Sequence, residues 1–423
     1  MPLLDLPDEL LEHILILSDP IDVSHLAQTC QAFRGLVYQA PDDTLWRNLY
    51  LIHLELDDPR HCVAMDGRPR PLIEWRLEVQ RAIRARTLIT TNSIGKPGEL
   101  GTILQTLLAL ATLVRPMTGW DADLPKSLSK SLVGIPALLR HGWIDLVERL
   151  PLAEHEQQLV ARFHTYFGLT QDDIRKEART FSRAFVYNTQ NYAPDNDFGP
   201  FFEDGTVNWV HVRAIHHLIS MQVVEHQETP IDTEAFEYAI YPLSLPFTQI
   251  EAPGEDKHDW LGVTGEWEVS FSFIDHRVLM RYNEGLLHPG IPEDVSVFEE
   301  ESFDEVFRVM TVDMRLLKTQ PDPEHPHNPI IFFAGQMRGL TNSVMNGKAW
   351  MTSNGTVRWR FVSGEASAPI WGSEGLQVGG LRSAFGVLGS WSTTVHDADD
   401  PVGPFWMRKT SPSRTAATSQ PQS

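Results

Sequence analysis

Cysteine is scarce in this chain, and its scarcity excludes several kinds of small domain. The 423 residues contain two cysteines, Cys30 and Cys62. One pair of thiols cannot build a disulfide framework or a cysteine-rich zinc module. We therefore expect a protein of a reducing compartment, located in the cytoplasm, the nucleus or both.

Long apolar runs and an excess of positive charge are also missing. No window of the sequence approaches the roughly 20 apolar residues that a membrane-spanning helix needs. Residues 10–17 are interrupted by Glu12 and His13 and follow acidic residues, so we do not expect a signal peptide there. The chain has 56 Asp and Glu against 35 Lys and Arg, a formal charge of −21. This charge opposes binding to nucleic acid or to a membrane, and a basic partner surface is more natural.

Apolar side chains at helical spacing stand out near the amino terminus. The pattern predicts a first helix that Asp5 caps and that carries Pro7 in its first turn. Its apolar face is formed by residues spaced four, four and three apart, with Leu11 and Leu15 beside them: Leu6, Leu10, Ile14 and Leu17.

Short apolar segments follow this first helix. Ser18-Asp19-Pro20 breaks it, and further helices are expected around residues 23–30, 33–37 and 45–50. Helices of this length are marginal alone, so they must pack on one another and on a partner.

The order of these residues resembles the F-box. The resemblance covers about an eighth of the sequence. Where the family usually has a basic residue and a Trp, this chain has Gln31-Ala32-Phe33. The matching motifs, in chain order, are Leu-Pro-x-Glu-Leu-Leu at 6–11, Ile-Leu at 14–15 with Leu17, Pro-x-Asp-Val at 20–23, Leu-Ala at 26–27, Cys30, Phe-Arg-x-Leu at 33–36 and Leu-Trp-Arg-x-Leu-Tyr at 45–50.

The resemblance implies a docking function. F-box domains bind a Skp-type adaptor, which links them to a cullin scaffold of a ubiquitin ligase. It remains open which residues touch the adaptor and which hold the helices together, and a generic helical cap is the alternative. The positions expected at or beneath the adaptor interface are Pro7, Leu10, Leu11, Ile14, Leu17, Leu26 and Cys30.

The middle of the chain is predicted to be an irregular helical layer. Helical periodicity occurs at residues 72–88, 100–113, 124–150 and 152–167, with breaks expected at Pro116, Pro125, Pro136 and Pro151. Asn208 is expected to cap a helix that runs through Ser220. The aromatic loop at 198–209, similar to loops in fungal F-box proteins, is either part of a core or a binding loop.

Beyond Trp260 the pattern changes to a period of two. Apolar residues alternate with polar ones over 266–273, and strands are also predicted at 278–282, 306–317 and 330–334. Asn354-Gly355 predicts a β-hairpin, and the glycines at 375–389 suit bent strands where larger side chains would collide. Seven of the 12 tryptophans lie in this part.

These patterns predict an α+β multidomain protein. We expect an F-box of three helices at 1–55, a helical linker domain at 56–245, an antiparallel β-barrel or sandwich at 255–409, and a disordered tail at 410–423. A barrel is favoured, which resembles in kind the β-barrel substrate domains of some F-box-only proteins.

Motifs for chemistry are weak. His325-Pro326-His327 has no third ligand at a telling spacing, so neither a metal nor another cofactor is expected. Ser390 lacks the glycine of a nucleophile elbow, although His396-Asp397 lies near it.

The sequence therefore favours a non-catalytic subunit that recruits an unidentified target protein. Candidate target-binding residues are Arg358, Arg360, Trp371 and Arg382, although arginines that alternate on a strand usually form its solvated face. The alternatives are a barrel that binds or transforms a small molecule beneath a helical cap, and an adaptor-bound protein that presents no substrate.

Overall fold

The computed structural model describes residues 3–70, 72–118, 129–139, 142–225, 249–250, 258–286, 293–339 and 343–410. The chain divides into two compact units, which are described separately: Met1–Pro116 with Ser127–Phe163, and Met117–Lys126 with His164–Ser423. Residues 411–423 of the predicted disordered tail and 226–248 of the predicted helical middle lie outside the described residues. The predicted domain boundaries stay predictions.

Four short helices open the first unit. They are α1 (Asp8–Leu17), α2 (Pro20–Thr29), α3 (Gln31–Tyr38) and α4 (Thr44–His53). The predicted break between α1 and α2 is confirmed, because the Asp19 carboxylate accepts a hydrogen bond from the Ile21 N–H at 2.8 Å and starts α2.

The start of α1 differs from the prediction. Asp5 ends a 3₁₀ turn instead of capping the helix, and Pro7 stands immediately before α1 with an extended ψ of 146°. The Pro7 carbonyl accepts the first helical hydrogen bonds, from Leu10 and Leu11. The prediction of an Asp5 cap was therefore wrong.

A single apolar core holds the four helices together. Trp46 donates its indole N–H to the Val37 carbonyl at 3.0 Å, which fixes α4 against α3. Two members of the core, Trp75 and Val79, come from the next helix of the chain, so the four opening helices do not form a core by themselves. The core consists of Leu15, Val23, Ala27, Val37, Leu45, Trp46, Leu49, Tyr50, Trp75 and Val79.

Among the described residues, five further helices continue the helical middle of the chain. They are α5 (Trp75–Thr90), α6 (Leu100–Thr112), α7 (Lys130–Leu139), α8 (Trp143–Glu148) and α9 (Glu154–Phe167). The break predicted at Pro136 was wrong, because Pro136 lies inside α7. Proline there removes one backbone donor from the helix, and the helix continues for one more turn at most.

The second unit combines helices with a β-barrel. Its described residues form the helices α10 (Lys176–Val186), α11 (Trp209–Glu225) and α12 (His276–Leu286). Asn208 caps α11 as predicted, since its side-chain oxygen accepts from the His211 N–H at 3.3 Å. A two-residue parallel pair, β1 (Met117–Thr118) with β2 (Gln249–Ile250), accompanies them.

Eight antiparallel strands form the closed barrel, as favoured from the sequence. Each strand pairs with the next along the chain, and β10 pairs back onto β3. The strands are β3 (Gly265–Ile274), β4 (Glu305–Gln320), β5 (Ile330–Met337), β6 (Ser343–Met351), β7 (Val357–Glu365), β8 (Ala368–Gln377), β9 (Val387–Thr393) and β10 (Gly403–Lys409). The hairpin at Asn354-Gly355 is confirmed, because it joins β6 to β7 and Gly355 has a φ of 78°.

One predicted strand is a helix. Residues 278–282 were assigned to a strand on the alternation of Val278, Met280 and Tyr282, but they belong to α12. Leu279 is apolar as well, so the alternation was not strict, and the buried positions of α12 include Leu279 and Tyr282, three residues apart.

Glycines on adjacent strands allow the barrel wall to close tightly. Gly375 on β8 lies directly opposite Gly389 on β9. A Cβ added at Gly389 would meet the Glu374 carbonyl oxygen and would come within 2.6 Å of the Phe405 ring. The expectation that larger side chains would collide in this segment is therefore confirmed for Gly389.

We predict that Gly389→Ala destabilises the barrel by about 1–3 kcal/mol, because the backbone of β8 must shift. In thermal unfolding of the full chain followed by tryptophan fluorescence, the midpoint should fall by roughly 2–4 °C per kcal/mol. The matched control is Gly285→Ala in α12, where an added Cβ meets nothing within 4 Å. An equal midpoint for both variants would contradict this packing.

Candidate functional site

Helix α1 has two apolar faces, and the first unit covers one of them. Leu11 and Leu15 point inward and are 5% and 1% exposed. Leu10, Ile14 and Leu17 are 51%, 41% and 63% exposed. At about 100° per residue these three lie within one narrow arc of the helix. We call Leu10, Ile14 and Leu17 the α1 apolar face.

The remaining predicted adaptor residues occupy different depths. Pro7 is exposed at the start of α1, while Leu26 and Cys30 are half-buried. Leu11 lies in the interior, so its contribution to an interface is support from beneath. The pattern did not single out Leu3 and Ile21, which are 45% and 37% exposed. They were missed because neither belongs to the helical repeat of α1.

Polar contacts fix α1 from its carboxyl end. The His53 Nε2 atom lies 2.7 Å from the Ile16 carbonyl oxygen. A carbonyl accepts hydrogen bonds and never donates them, so Nε2 carries the proton. Tyr50 meets Trp75 edge to face with ring centroids 5.7 Å apart. The helix that carries the apolar face is thus anchored on α4, and α4 on α5.

The structure places the candidate arginines of β7 in a buried charge cluster. Arg358 is 5% exposed and lies 3.1 Å from Asp197 and 3.3 Å from Glu374. Arg360 pairs with the same two carboxylates. The interpretation of both arginines as a solvated strand face was therefore wrong for Arg358. Burial raises the pKa of Glu374 to about 7, although Arg360 and Arg358 oppose that shift.

The aromatic loop at 198–209 covers this cluster. The guanidinium of Arg358 lies 3.7 Å from the centroid of the Phe201 ring, and Phe198 stacks on His396 at 3.6 Å. Phe201 is 2% exposed. Of the two interpretations of this loop, the contacts of Phe201 favour packing.

The other two target-binding candidates, Arg382 and Trp371, have different roles in the structure. Arg382 donates to the Asp259 carbonyl at 2.7 Å and so holds a loop beside the barrel. Trp371 is half-buried and meets Trp391 edge to face at 5.3 Å. Trp371 lines a cavity in the barrel, which Arg358, Arg360 and Arg382 do not.

That cavity occupies one end of the barrel interior. Its volume is about 720 Å³, which is within the range of sites for drug-sized molecules. Its lining is mainly apolar and aromatic and includes Phe271, Phe361, Trp371, Trp391 and Phe405. Phe271 belongs to the predicted alternation over residues 266–273, but the sequence alone does not show a cavity between the strands.

The weak catalytic candidates do not form a site. Ser390 donates to the Phe198 carbonyl at 3.4 Å, and His396 stacks on the Phe198 ring. His325 Nδ1 lies 3.0 Å from an Asp322 oxygen in an exposed loop. In the part of the chain that the structure describes, no three metal-ligating side chains come together.

A buried polar cluster escaped the sequence analysis. Arg213 donates its Nε hydrogen to His164 Nδ1 at 3.0 Å, so His164 carries its proton on Nε2 and donates to Asp173 at 2.7 Å. Burial alone would raise the pKa of Asp173, but His164 and Arg213 outweigh it and hold that pKa below its ordinary range. Arg213 lies 49 residues from His164 and 40 from Asp173, and no sequence motif relates the three residues.

Comparison with known proteins identifies one region. Residues 3–52 match the family model of the F-box-like domain. No curated protein matches the chain, and no solved structure does. The matched region spans α1 to α4 and contains the α1 apolar face. Among the described residues, no helix has the length and apolar character to cross a membrane.

The low pKa of the buried Asp173 carboxylate predicts how the stability of the protein depends on pH. A carboxyl group with a lower pKa in the folded than in the unfolded protein stabilises the fold when the pH is above its unfolded pKa, which is near 3.8 for Asp173. This stabilisation is lost progressively as the pH falls below that value. The thermal midpoint of the wild type should therefore fall more steeply between about pH 5 and 3 than that of Asp173→Asn. Parallel falls in the two proteins would contradict the assignment.

Proposed function

The chain carries an F-box-like domain at residues 3–52, and on this premise we propose that it is a substrate receptor of an SCF-type ubiquitin ligase. It docks on a Skp-type adaptor, and through it on a cullin, with the amino-terminal helices. It presents a target protein through the β-barrel unit. The α1 apolar face is the observation that carries this proposal.

A cluster of leucine and isoleucine side chains exposed to water on one short helix is energetically unfavourable in an isolated protein. Burying the α1 apolar face against a partner removes three large apolar side chains from water, at about 1.5–3 kcal/mol for each one fully buried. Apolar anchors at the centre of an interface carry most of its affinity. Leu11 and Leu15 keep the helix in place from the opposite side.

A role as receptor for a protein target is supported by the arrangement of the rest of the chain. The second unit contains a closed eight-stranded barrel, and the half-buried side chain of Trp371 lines its cavity. Tryptophan is frequent among the residues that dominate protein interfaces. Arg358 and Arg382 are engaged in contacts within the unit, so Trp371 is the strongest of the four candidates.

We further propose that the chain is a non-catalytic subunit located in the cytoplasm, the nucleus or both. Two free cysteines, Cys30 and Cys62, fit a reducing compartment. The alternative, a barrel that binds or transforms a small molecule, is favoured in its binding form by the cavity. The wall of that cavity is mainly apolar, and at its mouth Asp275 is paired with Arg277 and His276 with the Asp399 carbonyl, which gives acid–base chemistry little support.

We predict that Leu10→Asp with Ile14→Asp weakens adaptor binding at least 100-fold, because two charges enter an apolar interface while the core of the unit is untouched. Binding of the full chain to a purified Skp-type adaptor by calorimetry measures this. The control is Leu317→Asp on β4, whose side chain is 53% exposed, like that of Leu10. Equal affinity of the double variant and the wild type would refute the docking surface.

Target presentation has a separate readout. Proteins that co-purify with the wild type and with the double variant should include the same targets, whereas adaptor and cullin should accompany the wild type alone. Ubiquitin conjugates of the shared proteins should rise with the wild type and not with the double variant. Shared proteins that gain no ubiquitin would favour an adaptor-bound protein that presents no substrate.

A further inference from the structure

The barrel interior is filled at one end and hollow at the other. In the filled half Trp359 packs against Trp267 and Phe333, with ring centroids 5.5 Å and 5.3 Å apart. An eight-stranded barrel is just wide enough to be filled by side chains or to hold one small ligand. This barrel does both, since a cavity of about 720 Å³ remains beyond Phe361.

Two serine side chains face the hollow half. Ser363 on β7 is 9% exposed and Ser373 on β8 is 7% exposed, and both line the cavity. Neither hydroxyl has a hydrogen-bond partner among the residues that the structure describes. Both hydroxyls are therefore available to a molecule inside the cavity. Together with the apolar wall, these hydroxyls indicate a space built to receive a ligand with a polar atom.

A positively charged side chain, that of Arg308, lies at the mouth of the same cavity. Arg308 on β4 pairs in register with Phe271 on β3, and both line the cavity. Within the described part of the chain Arg308 has no ion-pair partner. The neighbouring carboxylate, Asp275, is already paired with Arg277 at 3.2 Å. His276 at the mouth donates from Nε2 to the Asp399 carbonyl at 2.7 Å.

We propose that the hollow half of the barrel binds a small apolar carboxylate. Its hydrocarbon part lies among Phe271, Phe361 and Trp391, and its carboxylate pairs with Arg308. An anion suits this mouth because Arg308 has no ion-pair partner among the described residues, whereas an aliphatic or aromatic body suits the apolar wall. The hydroxyls of Ser363 and Ser373, on β7 and β8, donate hydrogen bonds to an oxygen of the ligand. This inference goes beyond adaptor docking and does not depend on it.

Three ten-carbon probes of equal length test the proposal: decanoate, decan-1-ol and decylamine. Titration of the full chain is followed by calorimetry and by tryptophan fluorescence, to which Trp371 and Trp391 in the cavity wall contribute. Decanoate should bind saturably with one site, decan-1-ol about tenfold more weakly, and decylamine most weakly, as expected for a hydrogen bond to a charged group. No saturable binding, or equal binding of all three, would overturn the proposal.

Variants locate the site. Arg308→Gln should weaken decanoate about tenfold and leave decan-1-ol unchanged, and Arg315→Gln on the same strand should change neither. Ser373→Phe should fill the cavity and abolish binding of both. If Ser373→Phe fails to fold, Arg308→Gln at the exposed mouth still decides the matter. All variants should bind the Skp-type adaptor like the wild type, so the two proposals can fail separately.

Discussion

Pairing of β10 with β3 closes the barrel, and most of the second unit depends on that closure. It leaves no free edge along the eight strands, so their backbone groups are paired without a partner chain. Closure also forces β8 and β9 together at Gly375 and Gly389, where a side chain on either would collide. At the start of β4, Glu305 accepts from Arg183, Tyr187 and Gln222, which ties α10 and α11 to the barrel. The hollow half of the interior is a consequence of the same geometry.

Unlike the closed barrel, the first unit leaves part of its apolar surface uncovered, since its small core cannot cover both faces of its opening helix. Leu11 and Leu15 enter the core, and Leu10, Ile14 and Leu17 are left outside it. A fold that leaves such a face uncovered is suited to binding another protein. The F-box-like domain matched at residues 3–52 gives that face an expected partner.

Local patterns predicted much of this architecture, and long-range contacts limited the rest. Asn354-Gly355 and the alternation over 266–273 depend on neighbouring residues, so the hairpin and β3 were predicted correctly. The cluster of Asp197, Arg358 and Glu374 joins positions up to 177 residues apart, and no spacing in a single sequence relates them. Residues 278–282 satisfied a strand pattern and a helix pattern together, and the alternation alone could not distinguish the two. For α1 the sequence predicted the apolar positions, but not which of them the core would bury.

Backbone hydrogen exchange of the full chain with and without a purified Skp-type adaptor tests the central claim most directly. The account predicts slower exchange in α1 and α2 on addition of the adaptor, with exchange in strands β3 to β10 unchanged. Unchanged exchange in α1 under conditions where the adaptor is bound, or protection confined to the barrel, would contradict it.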